Sequence, residues 1–158
     1  MLLLKGPHDF AASVEKALSE IYPDWETIPG IIALGSHDPQ DVEEKLEKIR
    51  WAREERIPFL GICMGLQLMV IEYARNVLGL VDAHSTEIHP ETSAPVITRI
   101  PDLKEGEKRV GIYPVLWGGE SRLESHWHSY TFNTDYMTFF RDWEISYTSG
   151  IAEVMELK

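Results

Sequence analysis

The feature that most constrains this chain is a five-residue segment in which glycines flank its one cysteine. Gly61-Ile62-Cys63-Met64-Gly65 follows an apolar run and precedes a second, longer one. The pattern glycine-x-nucleophile-x-glycine is typical of a nucleophile elbow, where a strand turns so sharply into a helix that only small flanking side chains fit. It predicts an α/β fold with Cys63 projecting from the carboxyl end of a strand. On these five residues alone, a buried structural cysteine is the alternative.

The pattern around this segment alternates between strand and helix over the first eighty residues. Short apolar runs predict strands at 31–34 and 58–62, and the residues from 65 to 78 predict a helix that is apolar nearly all round. Two further helices are predicted by apolar stripes at Phe10, Val14, Ala17, Leu18 and Ile21, and at Val42, Leu46, Ile49 and Ala52. We expect Asp9 and Asp38 to cap them. This alternation is typical of a parallel sheet.

The second half of the chain is predicted to be rich in β-structure. Apolar and β-branched runs predict strands at 96–100, 110–113, 130–132, 145–147 and 152–157. No repeat or linker divides the sequence, so residues 1–158 are expected to form a single domain.

Charge and cysteine content exclude several classes of protein. With 26 acidic and 15 basic residues the chain carries a net charge of −11, which argues against nucleic acid and anionic membranes as partners. A lone cysteine forbids an internal disulfide and favours a cytoplasmic location. No apolar run approaches the roughly 20 residues that span a bilayer, and no signal peptide is expected.

Residues 57–67 closely resemble the nucleophile segment of class I glutamine amidotransferases. Residues 71–80 and 82–87 resemble, more specifically, the glutaminase domain of CTP synthase, and weaker similarity covers 5–18, 108–111 and 126–130. The resemblance implies a three-layer, flavodoxin-like α/β fold with a mostly parallel central sheet and an additional β-rich C-terminal half.

The resemblance also implies a reaction. Cys63 would attack the side-chain amide of glutamine, release ammonia and leave a thioester for water to hydrolyse. The backbone N–H groups of Met64 and Gly35 would form the oxyanion hole. Glu87 would contact the α-ammonium group of glutamine. The positions that match substrate-binding residues of the family are Gly35, Gln67, Glu87, His126 and His128.

The partners that the resemblance implies are glutamine or a related small amide, and a synthetase that uses the ammonia to aminate UTP in pyrimidine biosynthesis. Nothing in this chain resembles that synthetase, so we expect it as a subunit in trans, or else a homo-oligomer of this chain. No cofactor is implied.

Two departures from the family concern substrate binding. The family's oxyanion loop reads Pro-Gly-Gly-Phe-Gly, whereas Ser36 and Asp38 replace glycines in this chain, which argues against a preformed oxyanion hole. Three arginines of the family's Arg-His-Arg-His-Arg-Tyr strand are Ser125, Trp127 and Ser129. One of them binds the α-carboxylate in the family, and losing a contact of about 2–3 kcal/mol weakens binding roughly a hundredfold.

A third departure concerns the catalytic base. The family takes it from a His-Pro-Glu strand that would follow residue 158, so the domain is expected to lack that strand and to turn over several orders of magnitude more slowly. His37 is the best substitute, because the 35–38 loop must pass close to the elbow. The pairs His84/His89 and His126/His128 lack a cysteine or carboxylate to complete a metal site, so no metal is expected.

Two interpretations of function follow. The first is a glutaminase-like hydrolase with impaired catalysis, which has the nucleophile but not the histidine and glutamate of the triad. The second is a catalytically silent pseudoenzyme that binds a small amide or a partner protein. A fragment of a longer protein is a third interpretation of the short length.

Overall fold

The protein is described by a computed structural model over residues 1–5, 10–35, 41–148 and 150–157. The chain separates into two compact units, Met1–Val81 and Asp82–Lys158. The prediction of a single domain over residues 1–158 stays a prediction.

The first unit is a parallel α/β sheet, as the alternating pattern predicted. Its strands Leu2–Leu4 (β1), Ile31–Ala33 (β2) and Phe59–Gly61 (β3) lie in the order β1-β2-β3, with Leu2 opposite Ile31 and Ile31 opposite Phe59. A short 3-10 helix at Trp25–Thr27 precedes the central strand. The elements in chain order are β1 (Leu2–Leu4), α1 (Ala11–Ile21), β2 (Ile31–Ala33), α2 (Val42–Glu54), β3 (Phe59–Gly61) and α3 (Met64–Asn76).

The core of this unit lies around β2, whose three residues are all buried. A central strand of a parallel sheet is covered on both faces, which explains why 31–34 reads as a continuous apolar run rather than an alternating one. The predicted stripe of α2 is confirmed, since Val42, Leu46, Ile49 and Ala52 are all buried.

The helix α3 is buried along most of its length, as its sequence predicted. The apolar pattern of this helix did not predict the buried charge inside it: the Glu72 side chain is 1% exposed. Arg53 of α2 donates to both carboxylate oxygens of Glu72, from Nε to Oε2 at 2.9 Å and from Nη2 to Oε1 at 2.7 Å. This ion pair joins the two helices.

Two predictions about the other helices were incomplete or wrong. The helix α1 forms, but none of its residues is fully buried, and Ile21 of its apolar stripe is exposed. The helix α2 begins at Val42 after Asp41, rather than at a cap on Asp38. Asp9 and Asp38 themselves lie outside the described residues.

The second unit consists of short sheets, and the predicted richness in β-structure is confirmed. The strand at Ala83–Ser85 (β4) pairs in parallel with that at Ala94–Arg99 (β5), which pairs antiparallel with Tyr130–Phe132 (β8). Two further antiparallel pairs join Arg109–Trp117 (β6) to Glu120–His128 (β7), and Trp143–Thr148 (β9) to Ile151–Leu157 (β10). A 3-10 helix covers Thr134–Phe139. The strands are β4 (Ala83–Ser85), β5 (Ala94–Arg99), β6 (Arg109–Trp117), β7 (Glu120–His128), β8 (Tyr130–Phe132), β9 (Trp143–Thr148) and β10 (Ile151–Leu157).

The β6–β7 hairpin is longer than the sequence predicted, with nine residues in each strand. Its strands are joined by Gly118 and Gly119, which have φ values of 60° and 80°. Positive φ at both central residues is the geometry of a type I′ turn, whose twist matches that of the two strands. The hairpin is therefore fixed in register from Arg109 opposite His128 to Trp117 opposite Glu120.

Among the helices that the structure describes, none has the length and apolar character needed to cross a bilayer.

Candidate functional site

Cys63 lies at a sharp strand-to-helix turn between β3 and α3. Its φ and ψ are 55° and −113°, in a region that non-glycine residues rarely adopt. Two backbone hydrogen bonds of 2.9 Å hold the turn, from Ile62 N–H to the Ala33 carbonyl and from Gly65 N–H to the Ile62 carbonyl. A side chain held in such strained backbone is typical of functional sites, and the turn has the form of a nucleophile elbow.

The two glycines of the elbow are required by close backbone contacts. A Cβ at Gly65 would lie 2.1 Å from the carbonyl oxygen of Ala33, because the start of α3 lies directly against β2. A Cβ at Gly61 would lie 2.6 Å from the backbone of Gly65. The glycine-x-cysteine-x-glycine spacing is therefore explained by the packing of the turn itself.

The backbone at Gly35 lies against the cysteine. A Cβ at Gly35 would lie 2.8 Å from the Cβ of Cys63 and 3.0 Å from Cε2 of Phe10. The structure thus brings together three of the predicted residues: Gly35, Cys63 and Met64, the first residue of α3. Residues 36–40, which include the proposed substitute base His37, lie outside the described residues.

Two features of α3 suit a reacting thiol. Cys63 directly precedes the first turn of the helix, where unpaired N–H groups and the helix dipole favour an anionic sulfur. Gln67 lies one turn further on and is 8% exposed. Its buried Oε1 accepts no hydrogen bond from the described part of the chain, so it remains an available acceptor.

Glu87, the predicted ammonium contact, lies in the second unit just after β4. Its backbone N–H donates to Ser85 Oγ at 3.2 Å. Although the residue retains exposed surface, burial around the carboxyl group raises the pKa of Glu87, and the positive charges of Lys108 and Arg99 partly oppose this shift. A cationic ligand would lower the pKa of this carboxyl group again, because a nearby positive charge stabilises the ionised form.

His126 and His128 lie side by side on β7, and both face one arginine. Nη1 of Arg109 donates to Nδ1 of His126 at 2.8 Å and lies 3.4 Å from Nε2 of His128. Nη2 of the same guanidinium lies 2.9 Å from Oε1 of Glu153 on β10. The side chains of Arg109 and Glu153 are 8% and 3% exposed, so this is a buried ion pair. We call these four residues the Arg109 cluster.

Hydrogen bonding fixes the protons of the two histidines. Because a guanidinium only donates, the ring nitrogens that face Arg109 must accept. His128 then carries its proton on Nδ1, which donates to the Tyr130 carbonyl at 3.0 Å. His126 carries its proton on Nε2, which is buried without a partner in the described residues. Burial lowers the pKa of His126, so the neutral form is favoured.

The Arg109 cluster also contains the residue types of a metal site. Ligand atoms of His126, His128 and Glu153 all lie within 4.8 Å of one another. The prediction that no carboxylate completes the His126/His128 pair was therefore wrong. The sequence carries no signal that would bring Glu153 to this pair. In the structure, however, the cation that these three groups surround is the guanidinium of Arg109.

A His-Pro-Glu tripeptide occurs at residues 89–91, and sequence analysis passed over it because it does not match the family's position. It lies between β4 and β5 as an exposed turn, with the His89 ring 5.7 Å from that of His84. The backbone N–H of His89 donates to the Ser85 carbonyl at 2.9 Å.

The lowered pKa of His126 predicts a pH dependence of stability. The unfolded chain takes up a proton on this residue near its ordinary pKa of 6.5, whereas the folded chain takes it up only at lower pH. The free energy of unfolding should therefore fall as pH drops below 6.5, and His126→Gln should remove part of that fall. Urea titrations of the wild type and His126→Gln between pH 7 and about 5 test this. If the free energy of unfolding falls equally with pH in both proteins, the prediction is wrong.

Comparison with known proteins places these observations in a family. The model of the family "Glutamine amidotransferase class-I" matches residues 12–158. The CTP synthase of Clostridium perfringens is 44% identical over 126 residues, or 70% of this chain. That of Thermococcus kodakarensis is 42% identical over 154 residues, or 84% of this chain. These matches cover only 24% and 29% of the two relatives, so the chain spans under a third of their length.

A solved structure gives the same result for the fold. The glutaminase domain of Trypanosoma brucei CTPS, with bound acivicin, matches with a TM-score of 0.70 and 28% identity. The match covers 90% of this chain and 57% of that one. The predicted α/β fold of the glutaminase type is confirmed.

Proposed function

Because this chain belongs to the class-I glutamine amidotransferase family, we propose that it binds glutamine and hydrolyses it through Cys63. The thiolate of Cys63 attacks the amide carbon, and the tetrahedral intermediate expels ammonia, which takes up a proton as it leaves. Water then cleaves the thioester and gives glutamate and a free thiol. The observation that carries this proposal is the position of Cys63 at the elbow between β3 and α3.

The surroundings of Cys63 support a site for the developing negative charge. The backbone of Gly35 passes against the cysteine, and Met64 opens α3. N–H groups from these two residues would donate to the oxyanion, a contribution typically of about 3–4 kcal/mol for each donor. The buried Oε1 of Gln67, which has no hydrogen-bond partner among the described residues, would accept a hydrogen bond from the substrate.

We propose further that turnover is slow. Ser125, Trp127 and Ser129 stand where the family has arginines, so free glutamine loses the arginine contact to its α-carboxylate and should bind roughly a hundredfold more weakly. We propose His37 as the base, in place of the family's histidine. A base in a substitute position activates the thiol less efficiently, so the thioester forms and is hydrolysed slowly.

The alternative function is a silent binding module, and one observation favours it. Trp127 is 55% exposed on β7, and Lys108 Nζ lies 5.2 Å from its ring centroid. An exposed tryptophan thus stands where the family has an arginine. Aromatic residues are enriched in protein–protein interfaces, so this change favours contact with another protein.

Labelling with acivicin, the compound bound in the Trypanosoma brucei structure, tests the proposed reaction. We expect one adduct on the intact protein by mass spectrometry, absent from Cys63→Ala, with excess glutamine slowing its formation. Iodoacetamide serves as the control, since it reports any accessible thiol. If iodoacetamide modifies Cys63 but acivicin does not, the hydrolase proposal is wrong.

Glutamate release separates the two functions. Wild type should release glutamate slowly, and Cys63→Ala should release none above background. His37→Gln should lose most of this activity, because His37 is the proposed base. His89→Gln is the matched control, since His89 is an exposed histidine of the second unit, and it should keep the activity. Acivicin labelling without any turnover would indicate the silent module.

The proposed partner is a synthetase supplied as a separate chain. It can be tested with a full-length CTP synthase whose own nucleophilic cysteine has been replaced by alanine. Glutamine-dependent CTP formation should then require the present chain, whereas ammonia-dependent formation should not. Failure of only the glutamine-dependent reaction would exclude this partner and leave the hydrolase proposal standing.

A further inference from the structure

One face of the β6–β7 hairpin is apolar and uncovered. Side chains alternate between the two faces of a strand, and the face opposite the Arg109 cluster is called here the outer face. Ile112 and Leu123 on this face are 71% and 72% exposed. The large apolar side chains on it are Val110, Ile112, Leu116, Leu123 and Trp127.

The charged side chains of the hairpin avoid the exposed outer face, where a sheet that faces water would carry them. Its four charged residues all point to the other face: Arg109, Glu120, Arg122 and Glu124. An antiparallel sheet that faces water normally carries its polar side chains outward. The charge nearest to this contiguous apolar patch is Lys108 at its end, where Nζ lies 5.2 Å from the Trp127 ring centroid. An apolar patch of this kind, in a chain of net charge −11, marks an interaction surface.

The geometry points to a second copy of this chain as the occupant: we propose that two outer faces pack together in a homodimer. If each of the five apolar side chains buries roughly 100 Å² of accessible surface, the two copies together bury about 1,000 Å². This area is the lower limit of a specific interface. This area suits a weak dimer of one hairpin against another.

The outer face is also complementary to itself in shape. Ile112 on β6 lies opposite Ser125 on β7, and Leu116 lies opposite Ser121. A two-fold axis parallel to the strands places β6 of one copy over β7 of the other. Ile112 and Leu116 of each copy then lie over the small Ser125 and Ser121 of its partner, as an isologous interface requires.

The net charge predicts how salt acts on this dimer. Two chains of net charge −11 repel each other, while the outer face itself contributes no ion pair. Screening the repulsion should therefore strengthen the dimer as salt rises from about 0.05 to 0.5 M. An interface built on charge would weaken instead.

Sedimentation equilibrium on the full chain tests the proposal, with three variants. Ile112→Lys places a charge in the apolar contact and should raise the dimer dissociation constant at least tenfold. Ser125→Leu adds apolar surface, but the larger side chain fills the space above position 125 in which Ile112 of the other copy lies. It should therefore also weaken the dimer. Val81→Lys is the control, because Val81 is 83% exposed and lies outside the hairpin, and it should leave association unchanged.

Each result decides for or against the dimer. A wild-type chain that stays monomeric up to about 0.1 mM overturns the proposal, since an interface of this size should associate below that concentration. Stronger association of Ser125→Leu would indicate nonspecific adhesion and overturn the two-fold packing. Circular dichroism of each variant verifies that the fold is retained, as expected for exposed positions. The proposal does not depend on glutamine hydrolysis.

Discussion

Replacing Gly65 with alanine should cost more than about 4 kcal/mol of the free energy of unfolding, a large share of what a domain of this size has. The added methyl group would lie 2.1 Å from the carbonyl oxygen of Ala33, and that oxygen belongs to the central strand of the sheet. Neither β2 nor the start of α3 has room to move, because the residues around the contact are buried. Soluble yield and thermal unfolding of Gly65→Ala measure the loss.

Gly79 provides a matched control just beyond the other end of α3. It has a φ of 73°, but a Cβ there would meet no atom within 4 Å. Gly79→Ala should therefore cost only about 1 kcal/mol, from backbone strain alone. If both alanine variants unfold at the same temperature, close packing is not the reason for the glycine at position 65.

The second large effect is expected at the buried ion pair of the second unit. Glu153→Gln removes the charge that balances the guanidinium of Arg109, while the cation stays 8% exposed. Breaking one side of a buried pair typically costs about 3–5 kcal/mol, because the remaining charge is left without compensation. Urea unfolding at pH 7 should show this loss in Glu153→Gln.

A double replacement distinguishes the ion pair from simple packing. Arg109→Met with Glu153→Leu removes both charges and keeps apolar volume, so it should recover much of the loss of Glu153→Gln. The exposed pair of Arg122 and Glu120, on the same hairpin, is the control. Arg122→Met should change the free energy of unfolding by less than about 1 kcal/mol. A double variant less stable than Glu153→Gln would contradict this explanation.

The parts of the fold that could be predicted from sequence are those set by local patterns. The buried stripe of α2 and the apolar run of β2 each reflect one element packed against its neighbours. The elbow at Cys63 could be predicted because its two glycines are required by contacts within a few residues and with the adjacent strand. Local regularity of this kind is visible in a single sequence.

The parts that could not be predicted depend on residues far apart in the chain. Nothing near Arg109 indicates that Glu153 will neutralise it, and nothing near Glu72 indicates Arg53. The length of the β6–β7 hairpin, by contrast, has a local signal in the sequence. Gly118-Gly119 between two strand-like segments is a two-residue turn.

The Arg109 cluster has a consequence for how the chain acquires its structure during synthesis. The first unit pairs strands that are linked by one helix each, so its sheet can form while later residues are still being added. The second unit cannot neutralise Arg109 until β10 has left the ribosome, because Glu153 lies on that strand. Assembly of this unit therefore waits for β10, so the β-rich unit that begins at Asp82 stays unfinished until Glu153 has been added.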